Sequence, residues 1–153
     1  MVAGKCYDTI LFIRQEVQVV MRGSCLCGTV RYEISGRIEE MHHCHCGMCR
    51  KAHGGTFSTY GRIPADTFRF TAGEDSVRRY RSSPQVERSF CGLCGSNLLW
   101  RFDELPDLLW VAAGSFDEDP GVRPAGHIFT GSKAPWHEIT DGLPQHIEYP
   151  PQP

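Results

Sequence analysis

The stretch HHCHCGMCRKAHGG, residues 42–55, places three cysteines within six residues and surrounds them with histidines. The cysteines are Cys44, Cys46 and Cys49, and their short separation means that little chain entropy is lost when they gather around one ion. Thiolates are common ligands of Zn²⁺, and catalytic zinc keeps three protein ligands and one open position. The stretch therefore predicts a catalytic zinc site formed by these three cysteines.

Four further cysteines lie in two motifs, CLC and CGLC, and they are Cys25, Cys27, Cys91 and Cys94. A Cys-x-x-Cys turn followed by glycine is a metal knuckle, because glycine permits the left-handed backbone that brings the second sulfur round. Structural zinc takes four protein ligands. Seven clustered cysteines divide as four plus three, which predicts two zinc ions per chain, one structural and one catalytic.

Two other ligand assignments stay open at this point. In the first, Cys46 and Cys49 join the two cysteines of CGLC in a zinc ribbon. In the second, His53 fills the fourth position of the three-cysteine site and closes it. A closed site favours a non-catalytic, zinc-stapled binding module, whereas an open site favours an enzyme.

The length and charge of the chain restrict its class. The chain has 153 residues, about the size of one domain, and a net charge of −2, which argues against nucleic acid or anionic lipid as the main partner. A local basic cluster is interpreted as the solvated outer face of a hairpin, with an anion-binding role as the alternative, and its members are Arg78, Arg79, Arg81 and Arg88.

The first residues contain an apolar run, residues 10–13, that is too short for a signal sequence or a membrane span. We therefore expect a cytoplasmic protein in a reducing compartment, where clustered cysteines bind metal and stable disulfides are rare. Cys6 stands alone in this segment and is interpreted as an ordinary thiol.

Short β-type runs between turn residues predict a mainly β fold with few short helices. The predicted strands are 29–34, 56–63, 67–70, 77–81, 86–91, 98–102 and 108–113, and the predicted helices are 9–17 and 46–52. The turn-and-cysteine pattern begins at Met21. We therefore divide the chain into an N-terminal extension (1–20), a zinc-binding domain (21–149) and a proline-rich tail (150–153).

Taken together, these motifs resemble the glutathione-dependent formaldehyde-activating enzyme family, which also contains centromere protein V. The resemblance runs from Gly23 to about Tyr149 through GSCLCGTVRYEI, HCHCGMCRKAHGG, FCGLCGSNL, AAGSFD, HIFTGSKAPWHEI and DGLPQ. It implies a β-tent fold, in which antiparallel sheets meet around zinc. It also implies a structural zinc on Cys25, Cys27, Cys91 and Cys94 and a catalytic zinc on Cys44, Cys46 and Cys49.

The activity for which the family is named adds formaldehyde to glutathione and gives S-hydroxymethylglutathione, which is a carbon–sulfur lyase reaction read in reverse. The resemblance implies a zinc enzyme that forms or cleaves such a thiol–aldehyde adduct, with a small-molecule thiol such as glutathione as its partner. The alternative is a non-catalytic binding module of the same fold.

Substrate-binding residues are predicted only from their position near the cysteines. Glutathione carries two carboxylates, so the candidate cations are Arg50, Lys51 and Lys133. Phe57 and Trp136 are candidate pocket walls, and Gly54 and Gly55 would let the backbone approach a ligand.

Overall fold

The computed structural model describes residues 20–150, so Cys6 and the predicted helix 9–17 lie outside the described residues. The strands are β1 (Val20–Ser24), β2 (Arg31–Ser35), β3 (Glu40–Cys44), β4 (Ser58–Pro64), β5 (Phe68–Ala72), β6 (Val77–Ser83), β7 (Val86–Cys91), β8 (Asn97–Phe102), β9 (Leu108–Ala112) and β10 (His127–Ile128). Within this range there is one α-helix, α1 (Gly47–His53). Short 3₁₀ turns lie at Ala65–Thr67, Glu74–Ser76, Ala113–Ser115 and Thr130–Ser132.

The strands form two sheets. The smaller sheet has the order β1-β2-β5, and the larger has the order β10-β3-β4-β9-β8-β7-β6. Neighbouring strands are antiparallel throughout, except that β10 runs parallel to β3. The predicted mainly β fold, built from antiparallel sheets with few short helices, is confirmed.

The two faces of the larger sheet have different surroundings. Ile63 and Val111 belong to the main hydrophobic core, which also includes Tyr32 and Ile34 of the smaller sheet. Because successive side chains of a strand point to opposite faces, their neighbours in sequence point away from this core. One of these neighbours, Trp110, lines a cavity on the other face of the sheet.

All seven predicted strands are present, with ends that differ by a few residues. Three strands were not predicted. β1 begins at Val20, before the turn-rich pattern starts; β3 (EMHHC) is too rich in histidine to give an apolar alternation; and β10 has only two residues.

The helix α1 follows the three-cysteine motif directly. Cys46 is its N-cap residue, and the Cys46 sulfur accepts a hydrogen bond from the Cys49 backbone N–H. Gly54 ends the helix with a left-handed backbone, at a φ of 64°. No helix in the described part of the chain is long and apolar enough to span a bilayer.

Candidate functional site

The first candidate metal site is the four-cysteine group, which consists of Cys25, Cys27, Cys91 and Cys94. All four Sγ atoms lie within 4.8 Å of one another, with 3.4 Å between Cys25 and Cys27 and 3.9 Å between Cys27 and Cys91. Four sulfurs placed tetrahedrally at 2.3 Å from a zinc ion are about 3.8 Å apart. The thiol donors therefore fit zinc, and these two separations are far longer than the S–S bond of a disulfide.

The turn from Cys91 to Gly95 has the geometry of a metal knuckle. Gly95 has a φ of 77°, and its N–H donates to the Cys91 carbonyl at 2.9 Å. The hydroxyl of Ser96 lies 3.3 Å from the Cys94 sulfur. This contact lowers the pKa of Cys94 to about 5, so the thiolate, the form that binds metal, is present at neutral pH.

The four-cysteine group joins the two sheets. Cys25 and Cys27 lie in the loop between β1 and β2 of the smaller sheet, whereas Cys91 ends β7 of the larger one. The Leu26 N–H donates to the Ser96 hydroxyl at 2.9 Å and links the two loops directly. A metal ion held here would therefore cross-link the sheets at the edge of the main core.

The second candidate metal site is the three-cysteine group, Cys44, Cys46 and Cys49, at the junction of β3 and α1. The three Sγ atoms lie within 4.8 Å of one another, and among residues 20–150 no fourth His, Cys, Asp or Glu ligand atom joins them at that distance. Hydrogen bonds from the thiol of Cys44, and then from that of Cys49, hold the pKa of Cys46 far below its usual value.

The two alternative ligand sets are not assembled. The cysteines of CGLC lie with Cys25 and Cys27, and not with Cys46 and Cys49, so the ligands of a zinc ribbon are in separate groups. His53 is not part of the three-cysteine group, and its Nε2 lies 2.5 Å from the Tyr60 hydroxyl.

A cavity of about 750 Å³ opens beside the three-cysteine group, on the face of the larger sheet away from the main core. Its lining consists of Glu40, His42, Cys44, Cys46, Met48, Cys49, Tyr60, Arg62, Val86, Arg88, Trp100, Phe102, Leu105, Trp110, Ile128, Phe129, Tyr149 and Pro150. Pro150 was assigned to the tail from sequence, yet it forms part of this wall. The three thiols thus face a space large enough for a small-molecule ligand.

Arg88 is the buried cation of this cavity. Its Nη1 donates to the Tyr60 hydroxyl at 3.0 Å, its Nη2 donates to the Cys49 sulfur at 3.6 Å, and its Nε donates to the Ser82 hydroxyl at 3.1 Å. Burial disfavours the charged guanidinium, but Tyr60 and Cys49 raise its pKa above the usual value. Arg88 therefore stays charged next to the thiols.

The interpretation of Arg88 as a solvated hairpin residue is wrong. Arg88 is 7% exposed, whereas Arg79 and Arg81 on the neighbouring strand are exposed. Strand alternation places Arg88 on the cavity face of β7. This alternation of side chains along β7 can be read from the sequence, and it was the one signal that could have distinguished Arg88 from the exposed arginines near it.

His53 and Tyr60 continue the hydrogen-bond chain from Arg88. Burial, and then the charge of Arg88, lower the pKa of His53 to about 4, so the ring is neutral and Nε2 can accept the Tyr60 proton. Burial also raises the pKa of Tyr60. The hydroxyl of Tyr60 therefore stays protonated between a cation and a neutral imidazole.

A second hydrogen-bond chain begins at His45, which lies between Cys44 and Cys46 in the cysteine motif. His45 is fully buried, and its Nε2 lies 2.8 Å from Nδ1 of His127, whose Nε2 lies 3.0 Å from Asp141. Phe57 packs on this cluster, with 5.2 Å between its ring centroid and that of His45. Phe57 is therefore a support for the motif and does not line the cavity.

The cations predicted from sequence do not line the cavity. Arg50 donates to the His45 carbonyl at 3.2 Å, and its guanidinium lies 5.9 Å from the centroid of the Trp136 ring. Lys133 donates to the His137 carbonyl at 2.9 Å, and Lys51 is exposed.

Trp136 is 74% exposed, and it borders a separate, shallower pocket of about 420 Å³ together with Lys133. Gly54 and Gly55 end the helix and also lie outside the cavity lining. Sequence reasoning instead missed the residues that do line it, above all Tyr60, Trp100 and Trp110.

Comparison with known proteins supplies a family. Residues 20–132 match the family model described as glutathione-dependent formaldehyde-activating enzyme. A Halomonas elongata protein named for that activity is 34% identical over 130 residues, which cover 79% of this chain and 82% of the relative. A Fusarium vanettenii protein with the same name is 30% identical, over 55% of this chain and 45% of its own length.

A solved structure supports the fold alone. The crystal structure of a Rhodobacter sphaeroides protein superimposes with a TM-score of 0.55 at 22% sequence identity. The match covers 68% of this chain and 92% of that protein.

Proposed function

The chain belongs to the glutathione-dependent formaldehyde-activating enzyme family, and on that basis we propose that it is a zinc-dependent enzyme of the carbon–sulfur lyase type. It forms or cleaves a thiol–aldehyde adduct such as S-hydroxymethylglutathione. The observation that carries the proposal is the three-cysteine group, which faces a ligand-sized cavity without a fourth protein ligand among the described residues. The reducing cytoplasm is the compartment that would keep these thiols free.

In this proposal the four-cysteine group holds a structural zinc, and the three-cysteine group holds a catalytic zinc. When bound to the three thiolates, zinc would supply a Lewis-acidic position that lowers the pKa of an incoming thiol. The protein contributes the remaining elements, which are the cavity wall, a fixed cation and a hydroxyl that can carry a proton.

Arg88 is proposed to stabilise the oxygen of the carbonyl partner. When sulfur adds to an aldehyde, a carbon–sulfur bond forms and the carbonyl oxygen becomes negative. A guanidinium has five N–H groups, and the contacts to Ser82, Tyr60 and Cys49 use three of them. The two that remain can donate to the oxygen, and a preorganised donor is an effective way to stabilise such a charge.

Tyr60 and His53 are proposed to handle the proton of the reaction. Overall, the proton lost by the thiol ends on the adduct oxygen. Tyr60 lines the cavity, and its hydroxyl accepts a hydrogen bond from Arg88 and donates one to His53 Nε2. The pair can therefore pass a proton to or from the oxygen while Arg88 holds it in place.

A cobalt-substituted protein tests the proposal through its spectrum. Titration with glutathione is expected to strengthen the thiolate-to-metal charge-transfer band, because the thiol occupies the open position of the three-cysteine site. The apparent affinity should rise with pH until the free thiol ionises, because binding releases a proton.

S-methylglutathione is the matched control, since it keeps the peptide but has no ionisable thiol, and it should leave the band unchanged. If neither glutathione nor any small thiol alters the spectrum, the three-cysteine site is not open to thiols. The protein would then be a non-catalytic, zinc-stapled binding module.

Two zinc ions per chain are expected in protein purified without chelator, because the seven clustered cysteines form one group of four and one of three. Elemental analysis against protein concentration measures this ratio. Brief exposure to a chelator should remove one equivalent first, because three ligands hold the ion less firmly than four. A value of one or zero before chelation would contradict the two-site assignment.

A further inference from the structure

The cavity beside the three-cysteine group becomes more apolar with distance from the thiols. Strand pairing orders its wall. Tyr60 lies beside the thiols, the next level holds Trp110 opposite Arg62 and Trp100 opposite Arg88, and Phe102 opposite Val86 lies beyond them. The distance along the strands from the level of Tyr60 to that of Phe102 is four residues, or about 13 Å. Leu105, in the loop after β8, also lines the cavity.

Two stacked indoles form the middle of this wall. The rings of Trp100 and Trp110 are almost parallel, at 7°, with their centroids 4.2 Å apart. Phe129 and Tyr149 also line the cavity, and they pack edge to face with 4.8 Å between their centroids. Aromatic side chains therefore supply much of the cavity wall.

The charged side chains of the cavity, Arg88 among them, lie no farther along the strands than the two indoles. Arg62 forms ion pairs with Glu39 and Glu40, each at 3.2 Å, and His42 lies 3.6 Å from Glu40. This mixed acidic and basic rim, on β3 and β4, suits the amino and carboxylate groups of a small peptide. No charged side chain lines the cavity at the level of Phe102 and Leu105 in the described residues.

We infer that the thiol–aldehyde adduct handled at the three-cysteine site carries an apolar group of alkyl-chain or aromatic size, which lies along Trp100 and Trp110 toward Leu105. The inference rests on the proposed function and names the substrate class of that site. A one-carbon aldehyde would leave the apolar end of the cavity unfilled, whereas a hexyl or benzyl substituent would cover it and release its water.

A ligand series without an ionisable thiol tests this directly on the unmodified protein. S-methylglutathione and S-hexylglutathione share the peptide and differ by five methylene groups. Each fully buried methylene is worth a factor of about four in affinity, so half-burial predicts about 30-fold tighter binding of the hexyl compound. Isothermal titration calorimetry measures both affinities. Equal affinities, or binding of neither compound, would overturn the inference.

A pair of variants tests where the apolar group lies. Leu105 is 45% exposed, so Leu105→Asn should fold normally and reduce the preference for the hexyl compound severalfold, with S-methylglutathione unaffected. Ile147, which is 76% exposed and outside the cavity lining, provides the matched control Ile147→Asn, and this variant should keep the full preference. An undiminished preference in Leu105→Asn would contradict the placement.

Two further ligands separate this inference from the proposed function. If glutathione fails to alter the cobalt spectrum but hexanethiol and S-hexylglutathione bind, the proposed use of glutathione is wrong and the apolar selectivity stands. If glutathione alters the spectrum but the hexyl compounds bind no better than the methyl compound, the proposed function stands and the apolar selectivity is wrong.

Discussion

Replacement of Cys94 by serine is expected to lower the melting temperature by about 15 °C or to cause aggregation. Cys94 belongs to the four-cysteine group, which joins the loop after β1 to the turn after β7 and therefore holds the two sheets together. The binding free energy of a structural zinc is in large part folding free energy, and several kcal/mol of it correspond to a shift of this size. Circular dichroism melts and elemental analysis of the purified variant measure the effect.

The matched substitution is Cys46→Ser in the three-cysteine group. Its cysteines lie within six residues at the junction of β3 and α1, so an ion there links no distant parts of the chain. We expect this variant to melt within a few degrees of the parent protein while losing about one equivalent of zinc and its response to thiols. An equal loss of stability in both variants would show that the two groups do not divide into structural and catalytic sites.

Replacement of Arg88 by leucine is expected to weaken thiol binding by about 10- to 100-fold. The guanidinium contacts the Cys49 sulfur and the Tyr60 hydroxyl, and it is the buried cation beside three thiols that become negative when they bind metal. Without it, a fourth thiolate enters a site of uncompensated negative charge. A hydrogen bond to a charged group contributes about 1.5–3 kcal/mol, which corresponds to the stated range. Titration of the cobalt-substituted protein with glutathione measures the affinity.

Two comparison variants are needed to interpret the effect of Arg88→Leu. Arg88→Lys restores the charge but not the planar fork that reaches both Tyr60 and Cys49, so an intermediate affinity is expected. Arg79→Leu changes an exposed arginine on the neighbouring strand and should bind thiols like the parent protein. If Arg88→Leu, shown to be folded by its melting curve, binds glutathione normally, Arg88 does not act on the bound thiol.

Much of the fold could be predicted from the sequence because the signals that indicate strands and helices are local. A strand reveals itself through the alternation of its own side chains and the turn residues at its ends, and all seven predicted strands are present. The signal failed at β3, where histidines on both faces obscure the alternation, and at β10, whose two residues are too few to show one. The predicted helix 46–52 is present as α1, which begins after the N-cap Cys46 and ends at Gly54.

The sequence by itself also determined which cysteines are close along the chain and which turn carries the left-handed glycine, since spacing and φ depend on a few neighbouring residues. Only the tertiary structure decided that Arg88, Tyr60 and the stacked indoles of Trp100 and Trp110 face the same cavity as the three-cysteine group. Their proximity depends on the pairing register of β4, β9, β8 and β7. That register is fixed by packing of the whole sheet against the core, so no single segment contains it.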